Sequence, residues 1–207
     1  SSDVCSSDLN LFNQAWSLDS GIRIEQKQQT AYADVSLPPD ERNRRHGFGV
    51  LVEKTDIQGL RVDRESIGVQ TTQQRGSVEQ RLSLNWQNEL REPDGAAPVT
   101  SRALVPNAMW TWRRVDNLLD PRQGVVLQTQ IGGASKAVLS DQNFVRLYAR
   151  WLQYFPLGAR DTLATRMEGG ATLAPSSDGI PQDYLFRAGG TGSVRGYSFQ
   201  SLGVKEG

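Results

Sequence analysis

The sequence predicts an all-β protein, an antiparallel up-and-down β-barrel that spans a membrane. Apolar and polar residues alternate with period two over most of the chain, and the alternating stretches are about ten to fourteen residues long. An average strand of a soluble protein has roughly five or six residues. No stretch of note has a helical period, so strands account for the fold.

Residues 78–90 show the alternation most clearly. One parity is mostly apolar (Val78, Leu82, Leu84, Trp86, Leu90), and the other is polar (Glu79, Arg81, Ser83, Asn85, Gln87, Glu89). Four further segments repeat the pattern, with the apolar sets Trp16, Leu18, Ile22, Ile24; Val125, Leu127, Ile131; Val145, Leu147, Ala149, Trp151, Phe155; and Leu163, Met167, Ala171, Leu173. Each segment therefore predicts a strand with one apolar face.

Strand length and the chemistry of the two faces favour a transmembrane barrel over a soluble β-sandwich. Barrel strands in a membrane need about ten residues, with an apolar outer face and a polar inner face. The chain has charges in the middle of its strands and tryptophans suited to a membrane interface: Trp16, Trp86, Trp110, Trp112 and Trp151. Only one residue in two faces lipid in such a barrel, which explains the low mean hydropathy of −0.50.

Turn sequences divide the chain into about nine strands between residues 10 and 173. Proline-rich and polar loops are predicted at 37–46 and 91–98, and a tight reversal at 116–124. Residues 1–9 contain a near-repeat of Ser-Ser-Asp and share no pattern with the rest, so we interpret them as a non-native scar outside the fold.

Composition argues against several function classes. The 23 basic and 23 acidic residues balance, which gives no electrostatic reason to expect a nucleic-acid partner. No apolar run approaches the roughly 20 residues of a membrane-spanning helix. One cysteine and one histidine, without further ligands at metal spacing, predict neither a metal site nor a cofactor, and no catalytic residues are predicted.

The most informative segment is the glycine-dense stretch from Phe186 to Tyr197. Glycines allow tight backbone folding, so this loop can direct Arg195 at a chosen partner. Glycine content alone also fits a surface hairpin with an exposed arginine. Residues 190–195 begin like a dinucleotide-binding motif, but the sixth position is arginine and no helix pattern follows.

From about Asn10 to Gly207 the chain resembles the outer-membrane assembly barrel superfamily, the bacterial surface antigen family with BamA-like and TamA-like branches. The spacing from Asp116 through Pro121 to Gly124 resembles a hairpin that recurs in the family. The segment from Phe186 to Leu202 resembles its extracellular loop, which folds into the barrel lumen and carries a Val-Arg-Gly-Tyr-type motif. Tyr197 and the preceding Phe-Arg-Ala-Gly-Gly favour the TamA-like branch.

The resemblance implies a domain plan. Residues 10–173 would form about strands 3–11 of a sixteen-stranded barrel, and residues 174–207 the truncated lumen-folding loop. Periplasmic POTRA domains are expected before the chain, and the first and last barrel strands are expected outside it. An open sheet leaves backbone groups that hydrocarbon cannot satisfy, so we expect this fragment alone to be unstable in a membrane.

The resemblance also assigns roles to residues. The lumen-loop motif comprises Phe186, Gly189, Gly190, Gly192, Val194, Arg195, Gly196 and Tyr197. A guanidinium offers five donors in a planar fork and needs an acceptor on the barrel wall. Glu168 is the best candidate in this chain, because its parity points it into the lumen. Arg166, Arg146 and Arg150 are further candidates for lumen-facing neighbours of the loop.

The function implied by the resemblance is non-enzymatic assembly of outer-membrane proteins, TamA-like, in a Gram-negative outer membrane. Expected partners are outer-membrane lipid, client outer-membrane proteins or autotransporters, and a periplasm-spanning inner-membrane protein. A two-partner secretion exporter of the same superfamily is the first alternative. A passive porin or receptor barrel is the second, and it predicts tolerance of Arg195→Ala.

Overall fold

The computed structural model describes residues 5–11, 16–57, 59–158 and 160–185. These residues form one antiparallel sheet in which every strand pairs with its neighbours in sequence, so the order is β1 to β10 without a crossover. The strands are β1 Cys5–Leu11, β2 Trp16–Ile24, β3 Gln28–Ser36, β4 Arg44–Ile57, β5 Leu60–Arg75, β6 Val78–Pro93, β7 Val99–Val115, β8 Gly124–Ala134, β9 Phe144–Leu157 and β10 Asp161–Leu173. The predicted meander is confirmed.

The register places the apolar parity of neighbouring strands on one face. Ile67 of β5 lies opposite Trp86 of β6, and Trp86 lies opposite Leu104 of β7. We call this the outer face, and the face that carries Gln87 and Glu89 the inner face. Large apolar side chains of the outer face are exposed, whereas Gln87 and Glu89 are buried. Burial is thus inverted relative to a soluble protein, as in a membrane barrel.

The tryptophans lie on the outer face but not at one level. Trp112 of β7 pairs with Leu127, which pairs with Trp151 of β9, so these rings share a row near one end of the sheet. Trp86 instead lies between Ile67 and Leu104, in the middle of the apolar band. Only part of the predicted set therefore forms a row.

The hairpin between β7 and β8 is fixed by local hydrogen bonds. The Asp116 carboxylate accepts bonds from the backbone N–H groups of Arg122 (3.0 Å) and Gln123 (3.1 Å). These donors hold the pKa of Asp116 below its ordinary value, with the Gln123 N–H contributing most. Gly124 has φ 127°, and a Cβ there would collide with the carbonyl oxygen of Arg114. The reversal therefore requires glycine at this position.

Part of the N-terminal range lies in the sheet, and the interpretation of residues 1–9 as a non-native scar stays a prediction. Cys5–Leu11 form β1 and pair with β2, with Cys5 opposite Ile22 and Leu11 opposite Trp16. The near-repeat of Ser-Ser-Asp obscures the short alternation of polar and apolar residues from Asp8 to Leu11, so the strand is not recognised in the sequence. The described residues therefore contain ten strands, with β1 added to the expected nine.

Two loop boundaries also differ from expectation. β4 begins at Arg44 and β6 continues to Pro93, so both loops are shorter than predicted. Backbone pairing continues through polar residues because the partner strand β5 is equally long, with Arg61 opposite Glu92. No helix in the described part of the chain has the length and hydropathy needed to cross a bilayer.

Candidate functional site

The inner face of the sheet is polar along its whole length in β6. Its residues there are Glu79, Arg81, Ser83, Asn85, Gln87, Glu89 and Arg91. Glu89 has no exposed surface at all, although it is a carboxylate. Burying a charge is unfavourable unless it is paired, so Glu89 marks a place where other groups converge.

A segment that follows β10 covers part of this face. We call residues 178–185 the docked segment. It turns at Gly179, which has φ 79°, where a Cβ would lie 3.2 Å from the Cβ of Asp141. The next residue, Ile180, is fully buried and packs with Ala103 and Val105 of β7. Glycine thus lets the backbone approach the wall closely enough to bury an isoleucine on it.

The end of the docked segment is a single 3-10 turn, Gln182–Tyr184, that rests on β9 and β10. The Tyr184 ring packs against Phe144, with the ring centroids 5.5 Å apart. The Tyr184 carbonyl accepts a hydrogen bond from Oγ1 of Thr172 at 2.5 Å. Burial raises the pKa of Tyr184, so its hydroxyl stays neutral.

The same turn reaches β4, β5 and β6 through one arginine. Arg64 of β5 donates to Glu53 of β4 (2.9 Å) and to Glu89 of β6 (3.2 Å), and its Nε lies 3.4 Å from Oδ2 of Asp183. We call Arg64, Glu53, Glu89 and Asp183 the Arg64 cluster. All four side chains are at least four-fifths buried. The planar fork of arginine suits such a group of carboxylates.

Two further hydrogen bonds attach the docked segment to β6. Gln87 donates to Oδ2 of Asp183 at 3.0 Å, and the backbone N–H of Gln182 donates to Oε1 of Glu89 at 3.2 Å. Burial raises the pKa of Asp183, and the charges of Glu89 and Glu53 add to this effect, while Arg64 and Gln87 oppose it. The wall therefore recognises both the backbone and a side chain of the docked segment.

The docked segment thus links strands that are not neighbours in the sheet. Its contacts run from Thr172 on β10 to Arg64 on β5, and they combine an apolar contact at Ile180 with a buried ionic group at Asp183. This arrangement is suited to holding a chain segment in one position.

Residues 5–207 match the family described as the Omp85 superfamily domain.

The chain belongs to the Omp85 superfamily.

Comparison with solved structures agrees with this assignment at the level of the fold. The chain is similar to the crystal structure of BamA from Haemophilus ducreyi lacking POTRA domains 1–3, with a TM-score of 0.69 and 15% sequence identity. The similarity covers 89% of this chain and 40% of that chain, so this chain spans about two fifths of the BamA chain. No curated protein matches the sequence.

In this Omp85 chain the predicted loop motif lies outside the described residues. This holds for Phe186, Gly189, Gly190, Gly192, Val194, Arg195, Gly196 and Tyr197. The docked segment ends at Leu185 and leads directly into them. The partner of Arg195 therefore stays a prediction.

The predicted wall partners all lie on the inner face. Glu168 of β10 accepts hydrogen bonds from Nη2 of Arg166 (2.6 Å) and from the Tyr148 hydroxyl (3.2 Å), and both bonds end at Oε2. Arg146 and Arg150 of β9 share this face, and Arg146 is buried with 5% exposure. The structure thus groups Glu168 with Arg166, while Arg146 lies nearer the docked segment.

The Arg64 cluster is not apparent from the sequence. Alternation assigns Glu89 to the polar parity of its strand, but β5 carries charges at successive positions, Asp63, Arg64 and Glu65. The inner face of β5 therefore cannot be recognised from alternation. The only available sequence feature is an acidic residue, Asp183, shortly before the glycine-dense loop.

Proposed function

We propose that this chain is the central part of the barrel of a TamA-like outer-membrane assembly factor, which works without catalysis. The observation that carries the proposal is the docked segment, because it leads into the Val-Arg-Gly-Tyr motif and lies against the inner wall. Membership of the Omp85 superfamily supports the assembly or translocation class. Tyr197 and the preceding Phe-Arg-Ala-Gly-Gly favour the TamA-like branch.

The proposed mechanism rests on binding energy alone. The loop, held through Arg195 and a wall carboxylate such as Glu168, keeps the barrel wall in register, with Arg166, Arg146 and Arg150 as polar neighbours. A client strand then adds to an unpaired edge of the barrel beyond this chain. Burial of the client's apolar face in lipid, together with pairing of its backbone groups, drives insertion. The partners are outer-membrane lipid, client outer-membrane proteins or autotransporters, and an inner-membrane protein that spans the periplasm.

The experiment replaces Arg195 by alanine in the complete protein in a Gram-negative host. We expect maturation of a client autotransporter to slow and the heat-modifiable mobility of the barrel to weaken, because the wall carboxylate that holds the loop loses its cation. Arg75→Ala is the matched control, since Arg75 is exposed at the end of β5. Normal maturation and a stable barrel in the Arg195→Ala variant would contradict the proposal and favour a passive porin or receptor.

The two-partner exporter is the second candidate, and the polar inner face of β6 is the observation that favours it. A lumen lined by carboxylates, amides and guanidiniums can conduct an extended hydrophilic chain. The same host strain distinguishes the two functions. An assembly factor leaves its client inserted in the membrane, whereas an exporter releases its client into the medium.

A further inference from the structure

We propose that Arg64 is a positioning residue that fixes the lumen loop to strands β4–β6, at a second anchor independent of the Arg195 motif. This inference rests on the proposed function and deepens it by naming the wall residue that sets where the loop begins. It concerns the position of the loop, so it can be tested in the absence of a client protein.

The geometry of Arg64 supports this assignment. Two of its partners, Glu53 and Glu89, belong to the strands on either side of β5, so the wall itself orients the guanidinium. The third partner, Asp183, belongs to the docked segment. Because two wall carboxylates already hold the Arg64 guanidinium in place, binding of a third carboxylate costs little further side-chain entropy.

The surroundings of the cluster make the contact specific. Glu89 has no exposed surface, and it binds the backbone N–H of Gln182 with the oxygen that Arg64 does not contact. Arg91 lies 3.4 Å from that same oxygen of Glu89. Without the docked segment, Glu89 would lose its hydrogen bond from Gln182 and Arg64 would lose Asp183. The inner wall at this point is therefore complementary to the docked segment.

Two matched control residues are present in the chain. Arg61 is also on β5 and also ion-paired, 3.7 Å from Asp63 and 3.8 Å from Glu92, but it lies on the exposed outer face. Asp178 is acidic, belongs to the docked segment, and is exposed. A change at either control removes the same charge as a test variant but leaves the Arg64 cluster intact.

The experiment measures the position of the docked segment in the full-length protein folded in liposomes. A cysteine-free background carries Ala103→Cys, and the rate of labelling by a bulky maleimide reports opening, because Ala103 is fully buried on the wall and packs with Ile180 of the docked segment. Leu119→Cys, at a site with 97% exposure, serves as the freely labelled reference. Heat-modifiable mobility reports whether the barrel itself is intact.

We expect Arg64→Gln and Asp183→Ala each to raise the labelling rate of the cysteine introduced at position 103 by about tenfold or more, since each 1.4 kcal/mol of lost docking energy is a factor of ten. The double variant should raise the labelling rate by less than the product of the two single increases, because both changes remove the contact between Arg64 and Asp183. Arg64→Lys should restore part of the protection, since it keeps the charge without the fork. Arg61→Gln and Asp178→Ala should label at the parent rate.

Two results would overturn the proposal. The first is unchanged labelling in Asp183→Ala with an intact barrel. The second is an equal increase in the two controls. If Arg64→Gln does not assemble, Asp183→Ala decides alone, because it leaves the bonds from Arg64 to Glu53 and Glu89 in place. Failure of client maturation in Arg195→Ala is measured separately and bears only on the proposed function.

Discussion

Replacing Leu84 by arginine tests the inverted burial on which the fold assignment depends. Leu84 is on the outer face of β6, between Val69 and Pro106 in register, and is 41% exposed. The 16 residues of β6 span about 54 Å, or about 40 Å along the bilayer normal at a 40° tilt. Leu84 therefore lies near the middle of an apolar band about 25 Å tall.

An arginine at the bilayer midplane costs about 2–4 kcal/mol, which corresponds to a roughly 25- to 700-fold loss in the folding equilibrium. The assay is urea-dependent folding of the complete protein into liposomes, followed by heat-modifiable mobility. The control is Ser83→Arg, one residue away on the inner face, where Gln70 and Asn107 are the cross-strand neighbours. We expect it to change stability little. Equal losses in both variants, or a larger loss at Ser83, would refute the assignment of the two faces.

Two further predictions concern the docked segment. Ile180→Ala should weaken docking, because truncating a fully buried isoleucine costs about 2–5 kcal/mol. Hydrogen exchange measures this effect, and we expect faster exchange in the adjoining 3-10 turn and unchanged exchange in β6. Docking should also strengthen on mild acidification, because the raised pKa of Asp183 makes the docked state bind a proton more tightly than the open state. This contribution to docking is complete below the ordinary aspartate pKa and is lost as the pH rises through the raised pKa of the docked state. Protonation removes the cost of burying a charge on Asp183 and its repulsion from Glu89 and Glu53, but it also weakens the attraction to Arg64. Exchange protection corrected for intrinsic rates should therefore vary with pH in the parent protein and much less in Asp183→Asn, and equal pH dependence in both would contradict the assignment.

The faces of the strands could be predicted where alternation is regular. From Glu79 to Arg91 in β6, and from Arg146 to Arg150 in β9, every second residue is polar or aromatic with a polar tip, and the structure puts this parity on the inner face. The period of two fixes the face once a single residue is assigned, because a register shift would reverse every side chain. The prediction succeeded here because lipid and lumen make opposite demands on neighbouring residues.

The Arg64 cluster could not be predicted because it depends on long-range contacts. Asp183 and Gln87 are 96 positions apart in the sequence, and their contact requires β6 and the docked segment to meet across the inner face. No local pattern records such a distance. β1 could not be predicted for a local reason, since only residues 8–11 alternate and the Ser-Ser-Asp near-repeat before them fits no strand pattern.

The span of the docked segment has a mechanical consequence. Six strands, β5 to β10, form an arc, and the docked segment joins the two ends of that arc like a chord. A chord of fixed length fixes the curvature of its arc. While the segment is docked, the strands β5 to β10 cannot spread apart without breaking its contacts at Arg64 or Thr172.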